Sequence, residues 1–269
     1  MVDISSWNSI SRSLLLPLYF RAVETEKKRP LIHDEKAKEI IAKIDYDFNL
    51  IDGFDIIQTA TVMREKAFDL LVFDFLEKKT ESLVINIGAG LDTRFFRVDN
   101  KKVFWYELDL PEIIETRKEF FEESERYKFL SASAFDLDWH DKIDNIHCPV
   151  LLIASGVLFY FEREIVKKLF LNLKKSFPGS KFFFDVVSSF QAVCSHFNPV
   201  LNAMDIKFRW GINSEEELYT LMPDIKIDDI IYYFNPSFER LGWHAWYCLL
   251  PHVKSGCCII NSTLGGKDF

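Results

Sequence analysis

Gly88, Ala89 and Gly90, followed about 20 residues later by the acids Glu107 and Asp109, are the residues whose types and spacing could hold a ligand. Two glycines without Cβ atoms let a ligand approach the backbone closely and permit dihedrals that larger residues resist. A carboxylate at that distance can accept hydrogen bonds from both hydroxyls of a ribose. The chemistry is therefore recognition of a nucleoside. Thr93 stands where a dinucleotide fingerprint needs its third glycine, which favours a nucleoside without a pyrophosphate over NAD.

Such a site needs a strand that ends in a glycine turn. Leu83 to Ile87 is a short apolar run of the kind buried in a parallel sheet, and it ends at Gly88. Val103 to Tyr106 predicts the second strand, Phe129 to Ala132 the third, Pro149 to Ala154 the fourth and Lys181 to Val187 the fifth. Ile225 to Phe234 and His244 to Leu250 predict two closing strands. Ahead of the first strand the periodicity is helical throughout. Trp7 to Lys28 predicts a helix with Ser9 or Ser11 as caps, Asp34 caps a shorter helix through Ile44, and Phe54 to Glu77 predicts a long one. The expectation is one α/β domain over residues 1–269, with a helical cap over 1–80 and a Rossmann-like core over 81–269. An irregular stretch near 188–213 predicts a lid insertion, and the polar tail from Asn261 predicts loosely held chain.

Gly88-Ala89-Gly90-Leu91-Asp92-Thr93-Arg94 and the spaced Glu107-Leu108-Asp109-Leu110-Pro111 resemble the signature of the leucine carboxyl methyltransferase family, which includes TcmP-like O-methyltransferases. The resemblance implies S-adenosylmethionine as cofactor and a seven-stranded, mostly parallel sheet whose last hairpin is antiparallel. It implies Asp109 as the ribose ligand, with Glu107 as runner-up, and Arg64 on the helix before the first strand as partner of the cofactor's carboxylate. Arg21 resembles the family segment where the N-terminal helix approaches the cofactor pocket. Asp136 and Leu137 match the Asp-Leu pair that holds adenine. Ser155-Gly156-Val157-Leu158-Phe159-Tyr160-Phe161 is similar to a segment EGVLxYL, with Ser155 where many members carry Glu. The resemblance places Ser155 at the cofactor and Tyr160 in the acceptor pocket.

The chain is acidic, with a net charge of −8, which opposes binding to phosphate backbones, and it has no obvious basic patch. Five scattered cysteines show no zinc spacing, and no metal is expected. No long apolar segment suggests a leader or a membrane span, so a reduced cytoplasmic setting without membrane contact is the expectation.

The predicted reaction is O-methylation of a small-molecule acceptor, at a carboxyl or a phenolic hydroxyl. A carboxylate needs no general base, whereas a phenol would give His196 that role. Arg209 could orient an acidic substrate, so Tyr160, His196 and Arg209 are the acceptor-side candidates. A protein C-terminal leucine as acceptor, a non-catalytic nucleoside-binding protein and, less favoured, an NAD-linked oxidoreductase remain alternatives, and oligomeric state is open.

Overall fold

The computed structural model describes residues 2–4, 7, 13–51, 55–136, 138–143, 147–197, 201–202, 207–233, 238–242, 245–248, 250, 253 and 255–265. A seven-stranded sheet is formed by β1 (Leu83–Ile87), β2 (Phe104–Asp109), β3 (Tyr127–Ser131), β4 (Val150–Ala154), β5 (Lys181–Val187), β6 (Lys226–Ile231) and β7 (Cys257–Thr263). Their order is β3-β2-β1-β4-β5-β7-β6, parallel except that β7 runs antiparallel to both neighbours. This is the expected α/β architecture, and it puts the ends of β1 and β4 side by side at the switch in strand order, where open α/β sheets bind ligands.

The strand period of two explains the two faces of the sheet. Leu83, Ile85 and Ile87 pack with Val166, Leu169, Phe170 and Leu173 of helix α6 (Arg163–Ser176). Val84 points the other way, into a cluster with Leu15 and Leu18 of α1 (Leu15–Thr25) and Phe68 and Val72 of α3 (Asp55–Lys78). On β5, Phe182 and Phe184 join the α6 side while Phe183 meets Phe75 of α3 edge-on. By the same alternation Asp185 lies on the α3 side.

The segment before β1 is mainly helical, with α2 (Glu35–Ile41) between α1 and α3, but the expectation of helix alone is corrected: Val2–Asp3 and Ile44–Asp45 pair as a small parallel sheet, and α2 ends before Ile44. Asp34 caps α2 by accepting from the Ala37 N–H at 2.9 Å. Ser9 and Ser11 lie outside the described residues, and the helix there is described over Leu15–Thr25. The buried stripe of α3 runs through Val62, Glu65, Phe68, Val72 and Leu76, leaving Leu70 exposed. None of the described helices is long and apolar enough to cross a membrane.

Two expectations near the C-terminus are corrected. The run from His244 contains a short helix, Ala245–Cys248, and the last strand is β7, which takes in the tail residues Asn261 to Thr263. β7 sits inside the sheet with Ile259 and Ile260 in the core, while the Asn261 Oδ1 has no hydrogen-bond partner among the described residues. Ser262 is fully buried and its hydroxyl donates to the Phe182 carbonyl at 2.8 Å. The stretch expected to be a lid insertion contains helix α7 (Ser189–Ser195), capped by Ser188.

A buried ionic network fastens the cap to the turn after β1. Arg94, which opens α4 (Arg94–Val98), donates to Asp92 at 2.6 Å, Glu65 at 2.6 Å and Asp69 at 2.9 Å. Arg97 donates to Asp69 at 2.6 Å and Asp34 at 2.9 Å, and Thr93 donates to Asp34. Arg21 of α1 donates to Asp34 at 2.8 Å and to the Leu91 carbonyl at 3.1 Å. Burial alone would raise the carboxyls of Asp34, Glu65 and Asp92. The guanidiniums of Arg97 and Arg21 at Asp34, of Arg94 and Arg64 at Glu65, and of Arg94 and Arg97 at Asp92 outweigh it and hold all three below their ordinary values.

Removing one partner strands buried charge, so Arg94→Met is expected to cost about 3–5 kcal/mol in denaturant unfolding. A loss below about 1 kcal/mol would show that the network is not holding the cap. Because the folded-state pKa values of these acids are depressed, their stabilisation is complete above the unfolded value of about 4 and is lost as pH falls through the folded values. The melting temperature should drop steeply as pH falls from about 4 to 2. Circular dichroism melts across that range check it.

Candidate functional site

The turn after β1 is held open by backbone that only glycine adopts easily. Gly88 has φ +67° and Gly90 φ +49°. A Cβ on Gly88 would lie 2.5 Å from a Val157 methyl, so the turn packs directly against the chain leaving β4. Asp109, half-buried at the end of β2, accepts from the Gly90 N–H at 2.7 Å and from the Leu110 N–H at 2.8 Å. Burial raises its carboxyl above the usual value, and these two N–H groups act against that shift. Glu107 has a different task. It is fully buried, bonded to Arg117 at 2.7 Å, Asn86 at 2.8 Å and the Tyr127 hydroxyl at 3.2 Å, so Asp109 is the acid that meets the glycine turn.

A cavity of about 670 Å³ opens over this turn, a size suited to a small-molecule site. Gly88, Ala89 and Gly90 form one wall; Arg64, Ser155 and Tyr160 stand around it. The Arg64 guanidinium lies 3.1 Å from Glu65 and 3.8 Å from Asp185, and it packs over Gly156, where an added Cβ would come within 3.1 Å of it. Burial works against the Arg64 charge, but Glu65 and Asp185 more than offset it, so Arg64 stays a cation. The far wall is apolar and aromatic, with Phe159, Phe197, Phe208 and Tyr233. Burial lifts the hydroxyls of Tyr160 and Tyr233 above the ordinary tyrosine value, with Arg64 pulling the other way at both.

Six of the expected residues thus converge on one cavity: Arg64, Gly88, Ala89, Gly90, Ser155 and Tyr160. Asp109 is bonded to the turn at Gly90 and is not itself among the residues lining the cavity. Asp136 is exposed in the turn after β3 and does not line the cavity, and Leu137 lies outside the described residues. His196 is exposed, its Nε2 3.1 Å from the Phe208 carbonyl oxygen, and Arg209 is exposed with Glu162 at 3.6 Å. Neither lines the cavity. The cavity instead brings in Tyr233, Gln191, Cys194 and Cys257, none of which any spacing in the sequence marked. Burial pushes the Cys257 thiol up to about 11, which makes it wall rather than nucleophile at neutral pH. Among the described residues no group of side chains is arranged to hold a metal ion.

The cavity fits a nucleoside that carries an amino acid. The glycine turn lets ribose approach, Arg64 offers a guanidinium to a carboxylate, and the buried Ser155 hydroxyl has no hydrogen-bond partner among the described residues. The leucine carboxyl methyltransferase family model matches residues 15–174, more than half of the chain. The chain belongs to the leucine carboxyl methyltransferase family. It is 27% identical over 221 residues to the tetracenomycin polyketide synthesis O-methyltransferase TcmP of Streptomyces glaucescens, covering 82% of each chain. It is 24% identical over 255 residues to the S-adenosyl-L-methionine-dependent methyltransferase dpfgK of Gibberella zeae, covering 87% of this chain and 85% of that one. The fold is similar to that of a DUF574 family protein from Streptomyces avermitilis, with a TM-score of 0.62 at 12% identity over 94% of this chain and 97% of that one.

Membership in this family makes the chain an S-adenosylmethionine-dependent methyltransferase and sets the NAD-linked reading aside. The family match runs from α1 into α6 and stops before β5. It therefore covers the glycine turn, Arg64 and Ser155, and leaves Asp185, Tyr233 and Cys257 outside. Gly88→Ala should strain the left-handed turn and push on Val157, destabilising the fold by more than about 1 kcal/mol and weakening adenosyl-ligand binding. Unfolding curves and calorimetric titration of the variant test both, and wild-type values for each would show that the turn needs no glycine.

Proposed function

We propose that the chain transfers a methyl group from S-adenosylmethionine to an oxygen of a small-molecule acceptor, and that this oxygen belongs to a carboxylate. The observation that carries the reading is the shared cavity: the glycine turn and Arg64 open onto the same space as an aromatic wall. S-adenosylmethionine supplies an activated methyl group on a sulfonium. In this reading Asp109, bonded to the Gly90 N–H of the turn, takes the ribose, and Arg64, on the cavity wall, takes the carboxylate of the amino-acid end. The phenylalanines at the far wall exclude water and hold the acceptor in line.

The carboxylate reading is supported by what the cavity wall carries. None of its described residues is a histidine, and its tyrosine hydroxyls keep their protons at neutral pH. An acceptor already ionised needs no base. Tyr160 and Tyr233 can instead donate hydrogen bonds to an anionic acceptor.

Calorimetric titration with S-adenosylmethionine, S-adenosylhomocysteine and NAD tests the donor. Arg64→Ala and Asp109→Asn should each weaken the sulfur nucleosides by about tenfold or more, a loss of about 1.4 kcal/mol. Methylation of carboxylates should then proceed at a rate nearly flat from about pH 6 to 9, since the acceptor is ionised throughout. Phenols methylated in preference, at a rate rising with pH, would move the acceptor to a hydroxyl. Methylation only of peptides ending in leucine would move it to a protein C-terminus.

A further inference from the structure

Helix α7, which follows β5, presents its faces in the reverse of the usual order. A helix at the surface normally turns an apolar stripe toward the protein and a polar side toward water. Here Phe190 and Val193 are 50% and 60% exposed, while Gln191 lines the cavity, followed on the same side of the helix by Cys194 and Ser195. Burial of apolar surface alone would favour the opposite rotation.

Polar contacts fix the helix in this orientation. The Ser188 hydroxyl oxygen accepts from the Gln191 N–H at 3.2 Å, and that of Ser195 accepts from the Phe208 N–H at 3.1 Å. Gly211 packs so closely on the start of the helix that an added Cβ would lie 2.7 Å from the Ser188 carbonyl carbon. Ala192 joins Phe159 and Val187 in one cluster, with Phe208 against it, so Gln191 stands beside the aromatic wall. Its backbone is bonded to Ser188, but its carboxamide has no partner among the described residues. A carboxamide offers two donors and an acceptor. An apolar residue would serve a wholly apolar ligand better, so the inverted helix speaks for a polar group on the ligand that meets this wall.

Resting on the carboxylate reading above, we infer that Gln191 is the specificity-determining residue for the acceptor, its carboxamide N–H groups donating to the carboxylate oxygen that is not methylated. One oxygen must be free to react and the other held. The two arginines of the described wall have other partners: Arg64 is assigned to the cofactor, and Arg21 is bonded to Asp34 at 2.8 Å. Neutral donors are left for the acceptor. The carboxylate loses its charge as it becomes an ester, so this hydrogen bond is stronger before transfer than during it and acts on binding rather than on turnover.

Calorimetric titration in the presence of S-adenosylhomocysteine tests the inference with benzoate, naphthoate and octanoate, each beside its primary amide. The wild type should prefer an acid over its amide by about tenfold or more. Gln191→Leu should abolish that preference and leave the affinity for S-adenosylhomocysteine at its wild-type value. Gln191→Glu replaces the donors by a like charge. It should lose acid binding at about pH 8 and regain it toward about pH 5, as the introduced carboxyl protonates and can donate again. A merely structural position would show no such pH profile. In turnover, Gln191→Leu should raise KM for the preferred acid about tenfold and keep kcat within about threefold. An acid preference that survives Gln191→Leu, or equal weakening of every ligand by it, overturns the inference while the carboxylate reading stands. No acid preference in the wild type removes the carboxylate reading and the inference with it.

Discussion

The structure depends on the burial of arginines against carboxylates at the junction between cap and sheet. Arg94, fully buried, meets Asp92 from its own turn and Glu65 and Asp69 from α3, while Arg97 and Arg21 close on Asp34. Such charges are tolerated only when each finds its partners, so α1, α3 and the turn after β1 form as a unit or the network is left with uncompensated charge. That requirement accounts for half of the motif. Gly88-Ala89-Gly90 is the turn, and Asp92-Thr93-Arg94 is the clasp that holds the cap over it.

Because the clasp fixes α3, it also fixes Arg64, one residue before Glu65. Glu65 faces inward to Arg94, and Arg64 lies against Gly156 over the cavity. Neighbouring helix residues point about 100° apart, so one turn of α3 serves both the scaffold and the site. The lack of side chains at Gly88 and Gly156 lets Val157 and the guanidinium close in. The side of the cavity at the glycine turn is therefore built from packed strand ends and buried charge.

The aromatic wall has a different origin. It comes from the chain leaving β4, from the stretch after β5 and from Tyr233, just past β6. The family match ends before most of these residues, at position 174.

The sequence by itself determined the elements whose signals are local. Leu83 to Ile87 and Lys181 to Val187 are apolar runs long enough to be buried strands and nothing else, and their bounds match β1 and β5. Gly88 and Gly90 were legible because a left-handed turn restricts residue type at that point of the chain. Long-range pairing was not legible. His244 to Leu250 has the composition of a strand, yet the place between β5 and β6 goes to Cys257–Thr263, where a buried serine finds the Phe182 carbonyl. His196 and Arg209 looked chemical by type, but tertiary structure turned both to the surface and brought in Tyr233 instead. Only the tertiary structure decided which charges meet. Asp34, Glu65 and Arg94 are far apart along the chain, and their partners depend on how helices cross a sheet rather than on any spacing a sequence displays.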